Sequence, residues 1–478
     1  MRNARAEGAQ KARGFFLSLA FSILLGGCVN LSPDYVTPSL PEEMPVRYKE
    51  GGTGEEALWR PARPGQSVGR WWSLFADPVL DELMQGLMRG NQDIAAAAAT
   101  LRVAAAQAAT ARSSLFPVLG GPFSTERSGS EALRASSRYS AGFQSSWEMS
   151  FWNSLPALEL AKAETQAAAG DLAALRLLLQ AELAQNYFQL RSLDSRQELY
   201  ESTIAAYKRA ADLARSQFRG GLATRADYDQ AEAQLAGAQA QLAALKRQRA
   251  ELEHGIALLC GKAAPGFSLE RAPLPRAVPQ IEPGLPAALL ERRPDVAAAE
   301  RRVAAANQKI GLARAAWFPS LTLGGNLLWQ AAGWQSAALY TWSLGPGGAL
   351  NIFEGGRTAA QSEAAWAEYD RDVANYRQCV LTALKEVEDN LSALRYLEQE
   401  GKARARAAAA ARSALRIALS QYQGGLTTYL QVVSSQTTAL SNESSAIEVQ
   451  GLRLAAVVNL IKALGGGFAR AEIDEPSQ

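Results

Sequence analysis

Residues 72–262 and 280–464 of this chain carry the same sequence pattern, and the second stretch follows the first at an almost constant offset. The clearest match is the run Phe218–Thr224 (FRGGLAT), which returns 204 positions later as Tyr422–Thr428 (YQGGLTT). A duplication that keeps its spacing over so long a stretch predicts two copies of one structural unit, each limited by the same geometry. The fold therefore depends on what one unit contains.

The N-terminus has the features of a secretory signal. Basic residues precede an apolar run at residues 15–25, which is too short to span a bilayer as a helix. The sequence then reads Leu25-Gly26-Gly27-Cys28, which resembles the lipobox of bacterial lipoproteins, where the cysteine carries the lipid. Val29 follows, and not the aspartate that commonly retains lipoproteins at the inner membrane, so the resemblance implies an outer-membrane lipoprotein. The alternative is an ordinary cleaved signal followed by a chance cysteine.

Each repeat begins and ends with helical sequence. Alanine-rich helices are predicted from about 78 to 112 and from about 286 to 316, and a Phe-Pro pair follows each of them. Very long helices are predicted at 155–218 and 355–422, each followed by a Gly-Gly turn and a return helix. A helix of about 64 residues is roughly 95 Å long, which favours coiled-coil packing over a globular core. The return helices are predicted at 224–262 and 427–464.

Between these helices each repeat has a pair of alternating segments that predict a β-hairpin. Residues 139–149 and 318–330 place apolar and aromatic side chains on one face and polar side chains on the other, and residues 338–346 do the same. The partner strand near 118–127 is weaker because Pro122 interrupts it. Strands of about ten residues can cross a bilayer when tilted. A soluble hairpin packed on the helices is the alternative.

Four such strands cannot close a barrel, and an open sheet edge in lipid leaves backbone groups unpaired. Two chains would supply eight strands, whose interior side chains largely fill the lumen. Three chains would supply twelve strands and leave room for water. After the signal no run of 18 apolar residues occurs, so no spanning helix is expected. The sequence therefore suggests a trimeric duct.

The chain divides accordingly into a signal peptide, a lipidated extended arm, a first repeat, a linker, a second repeat and a C-terminal tail. Their bounds are 1–27, 28–71, 72–262, 263–285, 286–468 and 469–478.

A longer motif makes a family resemblance specific. The run LLERRPDV at residues 289–296, the segment IGLARAAWFPSL at 310–321 and the segments NIFEGG at 351–356 and ALGGGF at 463–468 closely resemble the TolC/OprM (NodT) family of outer-membrane factors. The resemblance implies a fold of mixed class: a trimeric 12-stranded outer-membrane β-barrel continuous with a 12-helix α-barrel tunnel in the periplasm. It also implies an outer-membrane exit duct for small molecules or drugs, docked through a periplasmic adaptor to an inner-membrane transporter, most simply a proton-driven transporter of the RND type.

In that family the two helix turns of each chain meet at the periplasmic tip, where they close the tunnel and contact the adaptor. The resemblance assigns this role to residues in two matching groups: Arg219, Gly220, Gly221, Leu222, Thr224, Arg225 and Asp227 in the first, and Gln423, Gly424, Gly425, Leu426, Thr428, Tyr429, Leu430, Gln431 and Ser434 in the second.

The second turn departs from the family pattern. Several members have carboxylates at the positions of Gln431 or Ser434, and some have an arginine at the position of Thr427. We therefore expect a seal made more of Leu430, Tyr429 and polar side chains than of a carboxylate ring. Plain turns between two helices, without any gating role, are the alternative.

The composition offers little for catalysis. His254 is the only histidine, so neither a histidine-based metal cluster nor a metal cofactor is expected, and the lipid on Cys28 is the one covalent group implied. The net charge of +2 gives no reason to expect nucleic acid. Two other functions stay open: an outer-membrane duct for type I protein secretion, and a lipid-anchored coiled-coil scaffold without a pore.

Overall fold

The computed structural model describes residues 30–40, 44–45, 47–51, 69–130, 133–281, 286, 289–332 and 336–468. The predicted signal peptide with Cys28, the C-terminal tail and part of the linker lie outside these residues. Within the described part the helices are α1 (Pro78–Gly90), α2 (Gln92–Ser113), α3 (Phe151–Arg219), α4 (Arg225–Leu259), α5 (Leu289–Arg292), α6 (Pro294–Ala315), α7 (Arg357–Gln423) and α8 (Tyr429–Ala463).

The expected first helix of each repeat is divided in two. Asn91 interrupts the first, where its Oδ1 accepts from Ile94 N at 3.0 Å and so caps α2. Arg293 interrupts the second, directly before Pro294 at the first position of α6. A capping side chain or a proline favours a new helix start over a continuous helix, and this explains why the single-helix prediction was wrong at both places.

The long helices confirm the duplication. Helices α3 and α7 contain 69 and 67 residues. They end at Arg219 and Gln423, 204 positions apart, and the return helices α4 and α8 both contain 35 residues. The two hairpins therefore turn at equivalent positions and return over equal lengths.

At the C-terminal end of each return helix, a side chain donates a hydrogen bond to a backbone carbonyl. Asn91 Nδ2 donates to Leu259 O at 2.9 Å, and in the second repeat Arg293 Nη1 donates to Ala463 O at 3.1 Å. The next turn contains a glycine with positive φ in both repeats, Gly261 at 66° and Gly465 at 91°. A Cβ at either glycine would meet a backbone oxygen at 2.0 Å, so no other residue fits.

The strands form one antiparallel sheet in the order β1-β3-β4-β5, with β2 also paired to β3. Their bounds are β1 (Val118–Gly120), β2 (Phe123–Ser130), β3 (Leu133–Glu148), β4 (Ser320–Ala331) and β5 (Leu339–Ala349). The expected first strand is split at Gly121-Pro122, since proline lacks the N–H that a ladder needs. Hairpins from the two repeats are joined through β3 and β4. In the described residues the outer sides of β1, β2 and β5 pair with no strand.

One face of this sheet is apolar and the other is polar. Phe143, Leu327 and Trp342 lie in register across β3, β4 and β5. The row one residue along, Gln144, Asn326 and Ser343, belongs to the opposite face. Aromatic rings extend the apolar face, with the Trp329 centroid 6.3 Å from Phe143 and 6.1 Å from Tyr340. The sheet therefore has the two-faced pattern of a transmembrane barrel wall.

The chain divides into two compact units that do not coincide with the repeats. One consists of Met1–Ser39, Thr100–Ala168 and Ala298–Arg377, and includes the sheet. The other consists of Leu40–Ala99, Ala169–Ala297 and Gln378–Gln478, and includes both helix turns. Each unit is thus built from parts of both repeats.

Helix α2 is long and apolar enough to cross a membrane by length and composition, which differs from the expectation of no spanning helix. The hydropathy of this helix comes mainly from its alanines. Polar residues such as Arg102 interrupt them, so the helix contains no unbroken apolar run. Only Ile94 is buried on this helix. A weakly apolar helix with a single buried residue is also suited to packing against another chain.

Candidate functional site: the paired helix turns

The two long hairpins reverse direction through the same backbone geometry. In the first turn Leu222 N donates to Gln217 O at 2.8 Å, and in the second Leu426 N donates to Gln421 O at 2.9 Å. Gly221 and Gly425 have φ values of 73° and 71°, the left-handed conformation that ends a helix in this way. The Gly-Gly prediction of helix reversal is therefore confirmed at both places.

The first return helix starts with a complete capping box. Thr224 Oγ1 accepts from Asp227 N at 3.2 Å, while Asp227 Oδ2 accepts from Thr224 N at 3.1 Å and from Thr224 Oγ1 at 2.8 Å. The Asp227 carboxylate is thus held at the start of α4 by its own turn. The second turn has Gln431 at the matching position, and Thr428 makes no side-chain cap bond.

The start of the second return helix, α8, is stabilised by apolar packing and not by a side-chain cap. Tyr429, Val432 and Val433 are 0–5% exposed and form one apolar cluster with Ala211 and Ala214 of α3. The Tyr429 ring lies 5.3 Å from the ring of Tyr422, centroid to centroid. Burial raises the pKa of Tyr429 to about 12. Tyr429 therefore holds helices together within the chain.

The other predicted tip residues are accessible. Leu222, Leu426 and Leu430 are 84%, 81% and 68% exposed, which is unusual for leucine. Asp227 is half-buried. The remaining predicted residues are all exposed: Arg219, Gly220, Gly221, Thr224, Arg225, Gln423, Gly424, Gly425, Thr428, Gln431 and Ser434. Of the two residues expected to dominate the seal, Leu430 is free to do so, whereas Tyr429 is a packing residue.

Because only the first return helix has a side-chain cap, the same substitution should have different effects at the two turns. Thr224→Ala removes the side chain that satisfies Asp227 N, which costs about 1 kcal/mol and should speed amide hydrogen exchange in the first turn of α4 roughly fivefold. Thr428→Ala removes no cap bond and should leave exchange at the start of α8 unchanged. Exchange measured by mass spectrometry distinguishes the two. Equal acceleration by both variants would contradict the assignment of the cap.

A buried ionic cluster anchors the linker, and nothing in the sequence pattern had indicated it. Asp194 Oδ2 accepts from Arg191 Nη1 at 3.0 Å, and Asp194 Oδ1 accepts from Arg249 Nε at 2.7 Å. These arginines also donate to linker carbonyls, Arg191 to Glu270 O and Arg249 to Leu269 O, both at 2.6 Å. One carboxylate therefore joins α3, α4 and the segment that leaves the first repeat.

In the second repeat the equivalent arginine binds a different segment, the N-terminal arm. Arg395, 204 positions after Arg191, forms an ion pair with Glu50 of the N-terminal arm at 2.5 Å. Glu388 accepts from the backbone N–H groups of Lys49 and Glu50 at 2.6 and 2.9 Å. The arm thus takes the place in the second repeat that the linker takes in the first.

Further upstream the arm lies along α6. Arg314 Nη1 donates to Leu31 O at 3.1 Å, and Asn307 Nδ2 donates to Pro33 O at 2.8 Å. A Cβ at Gly311 would lie 2.1 Å from Ser32 Oγ, so this glycine makes room for the arm. The arm is therefore ordered against the helix that leads into β4.

These features define a class of protein. Paired hairpins of very long helices, a Gly-Gly reversal in each, and a sheet with one apolar and one polar face are the parts of a channel subunit that continues from a membrane barrel into a helical tunnel.

Comparison with known proteins agrees with this class. The profile of the outer membrane efflux protein family matches residues 83–262 and 285–466. The pyoverdine export outer membrane protein OpmQ of Pseudomonas aeruginosa is 30% identical over 440 residues, which cover 88% of this chain and 92% of that protein. The solvent efflux pump outer membrane protein SrpC of Pseudomonas putida is 29% identical over 461 residues, with 94% and 97% covered. The structure of the outer-membrane channel OprN superposes with a TM-score of 0.83 at 29% identity, and covers 92% of this chain and 99% of that chain.

The chain belongs to the outer membrane efflux protein family. It is an outer-membrane efflux channel protein of the TolC/OprM type, as its long motif had implied. The family consists of ducts and is not an enzyme family.

Proposed function

We propose that three copies of this chain form the passive exit duct of a tripartite pump, docked through a periplasmic adaptor to a proton-driven RND transporter. The duct exports small molecules and needs no cofactor besides the lipid on Cys28. The observation that carries the proposal is the sheet, which has an apolar face for lipid, a polar face for a lumen and unpaired edges among the described strands. Edges of this kind must be paired in a membrane, and further copies of the chain would pair them.

The helices support the same assembly. Helix α6 is covered by α3 and the arm, through Ala163, Ala304, Ala305 and Tyr35. Its equivalent α2, 202 positions earlier, has one buried residue, Ile94, among the residues that the structure describes. In a ring of alternating repeats, α2 of one chain would be covered by the equivalent helix α7 of the next chain. The accessible alanine-rich surface of α2 is suited to close helix packing of that kind.

The start of the described arm supports a lipid anchor. Leu31 O accepts from Arg314 Nη1, which belongs to the last turn of α6, and β4 begins five residues after that helix ends. The described arm therefore begins beside the segment where helix gives way to sheet, and Cys28 precedes it closely in sequence.

Small-molecule export is favoured by the relatives' names, which refer to pyoverdine export and to solvent efflux. A strain that lacks the gene should become more sensitive to toxic small molecules, and the adaptor and an RND transporter should co-purify with the tagged protein. The purified protein should conduct ions in planar bilayers as a trimer. Co-purification with an ABC transporter would replace this proposal by type I secretion, and absence of conductance would favour the scaffold.

The anchor has its own test. Cys28→Ala should abolish incorporation of labelled palmitate, while Cys379→Ser, at a thiol in α7, should leave it unchanged. Label retained in Cys28→Ala would contradict lipidation at this cysteine.

The tip chemistry predicts weak block by multivalent cations. Gln431 and Ser434 are uncharged, Asp227 is engaged by its capping box and Asp229 pairs with Arg225, so the described tip residues offer no unpartnered carboxylate to a cation. Single-channel conductance should therefore fall little at micromolar trivalent cation. Gln431→Asp would place three carboxylates in a trimer and should introduce block at that concentration. Strong block of the unmodified channel would contradict the prediction.

A further inference from the structure

We propose that Arg127 binds a phosphate group of a lipid in the outer leaflet of the outer membrane. The site lies on the apolar side of the first hairpin, just beyond the apolar band of the sheet. It requires the sheet to lie in the membrane as in the proposed duct, and therefore rests on that proposal. Three features of the chain lead to it: the face that carries Arg127, its distance from the inner edge of the sheet, and the unpaired charge of its guanidinium.

The strand register places Arg127 on the apolar face of the sheet. Thr125 of β2 is opposite Tyr139 of β3, and Arg127 is opposite Ser137. Because side chains alternate between the two faces of a sheet, these four residues share the face that carries Phe143 further along β3. Arg127 is thus a charged residue in line with the residues assigned to lipid.

The neighbouring pair of charges lies on the other face. Glu126 is directly opposite Arg138, and both share the face of Gln144, which is the face assigned to the lumen. Opposite charges placed directly across a strand pair stabilise each other. Arg138 therefore has a carboxylate opposite it, whereas Arg127 has the hydroxyl group of Ser137.

The apolar face has an aromatic belt at each end. The inner belt lies where the strands meet the helices. There the Trp147 ring is 6.2 Å from the ring of Phe151, and Trp147 Nε1 donates to Leu115 O at 3.1 Å. The outer belt includes Trp329 and Tyr340, whose ring centroids are 6.1 Å apart. Tryptophan and tyrosine favour the interface between membrane and water, so the belts mark the two surfaces of the bilayer.

The height of Arg127 above the inner belt matches the thickness of the apolar layer. Ser137, which is opposite Arg127, precedes Trp147 by ten positions in β3. Ten residues of strand extend about 33 Å, which is about 25 Å along the membrane normal at a tilt of about 40°. The apolar band of an outer-membrane barrel is about 25 Å tall. Arg127 is therefore at the level of the outer headgroups and not among the acyl chains.

The guanidinium of Arg127 is available to a ligand. Arg127 is exposed, and within the part of the chain that the structure describes it forms no ion pair and no side-chain hydrogen bond. Thr125 and Ser137 place hydroxyl groups on the same face beside it. A planar guanidinium matches the geometry of a phosphate group, and hydroxyl groups can donate to the remaining phosphate oxygens. The lipid surface at this level carries phosphate groups of the opposite charge.

The second repeat does not supply a second site of this kind. At the offset of 202 positions, the equivalent of Arg127 is Trp329, which belongs to the outer belt. Strand β4 ends at Ala331, opposite Tyr139, whereas β2 and β3 continue past that level to their last pair, Ser130 and Leu133. Each chain therefore presents one phosphate site, and a trimer presents three.

Native mass spectrometry can count the bound lipid. Protein purified from outer membranes in a mild detergent should carry up to three phosphorylated lipids per trimer. Arg127→Ala should lower this count about tenfold, and Arg127→Lys, which keeps the charge but loses the planar fork, should give an intermediate count. Arg138→Ala removes the same charge from the lumen face and should leave the count unchanged.

Protein stripped of lipid allows the ligand to be chosen. The probes are lipid A, which is the phosphorylated glycolipid of the outer leaflet, the same lipid A after enzymatic removal of its phosphates, and inorganic phosphate. Intact lipid A should raise the thermal midpoint of the unmodified protein and of Arg138→Ala, but not that of Arg127→Ala. Dephosphorylated lipid A and inorganic phosphate should raise none of them.

The outcomes separate this site from the proposed assembly. Equal lipid counts in the unmodified protein and Arg127→Ala, or equal stabilisation by intact and dephosphorylated lipid A, would overturn the lipid site. Stabilisation by inorganic phosphate alone would assign Arg127 to a soluble anion and would overturn it too. Absence of the unmodified protein from the outer-membrane fraction, or its failure to form trimers, would instead overturn the proposed duct.

Discussion

Leu327→Arg should prevent the protein from reaching the outer membrane in a conducting form. Leu327 is near the middle of β4, on the apolar face between Phe143 and Trp342. An arginine on the lipid side of a barrel costs roughly 2–4 kcal/mol near the bilayer midplane, and a trimer incurs this cost three times. We expect little protein in the outer-membrane fraction and loss of efflux-dependent resistance. Membrane fractionation with immunoblotting and a susceptibility assay measure both.

The adjacent residue provides the control. Asn326→Arg adds the same charge to the same strand, but on the polar face beside Gln144 and Ser343. This variant should insert normally. The ion selectivity of its channel should shift toward anions, because the added positive charge faces the lumen. If Asn326→Arg were lost from the membrane as completely as Leu327→Arg, the assignment of the two faces would be wrong.

Asp194→Ala should strongly destabilise the helical part of the chain. It leaves Arg191 and Arg249, with side chains 3% and 12% exposed, without their shared carboxylate. Removal of one partner from a buried ion pair costs about 3–5 kcal/mol. The lower end of that range is expected here, because Arg249 keeps Glu253 at 3.0 Å and both arginines keep their linker carbonyls. We expect a clearly lower thermal midpoint and faster proteolysis of the linker, which loses the bond from Ala272 N to Asp194.

An exposed ion pair supplies the comparison. Lys385 and Asp389 are 2.6 Å apart on α7, but their side chains are 73% and 61% exposed. Asp389→Ala should leave the thermal midpoint unchanged, since water and salt screen such a pair. A midpoint that falls equally in both variants would show that the Asp194 cluster contributes no more than a surface ion pair does.

The sequence predicted best the features that repeat. The offsets and the Gly-Gly runs placed the ends of α3 and α7 within a residue or two, because a helix end that needs positive φ leaves a clear sequence signal. Alternation predicted β3, β4 and β5, since side chains on a two-faced sheet repeat with period two. The positions of the two turns followed from the same regularities, whereas the role of the tip residues came from the family resemblance and stays a prediction.

Features that depend on contacts distant in sequence were not predictable from local pattern. Asp194 contacts Arg249 and Ala272, which follow it by 55 and 78 positions. Glu50 of the N-terminal arm pairs with Arg395 of α7. The breaks at Asn91 and Arg293 did have local signals, a capping asparagine after Gly90 and Pro294 at the start of α6, which the single-helix prediction did not use. Burial of Tyr429 had one visible signal. It is followed by Val432 and Val433, whereas the matching residue Arg225 is followed by Tyr228 and Asp229.

The equal lengths of the two return helices restrict how proteins of this kind can change in evolution. Helices α4 and α8 both contain 35 residues, and both start after turns at the same offset. A deletion of two helical turns from one arm would shorten it by about 10 Å and move every later side chain relative to its neighbour. Such a change is tolerated only when the opposing arm and both arms of the other hairpin lose the same number of residues. Tunnel length should therefore vary among relatives through concerted, equal deletions and insertions in both repeats, and single-site length variants should be absent.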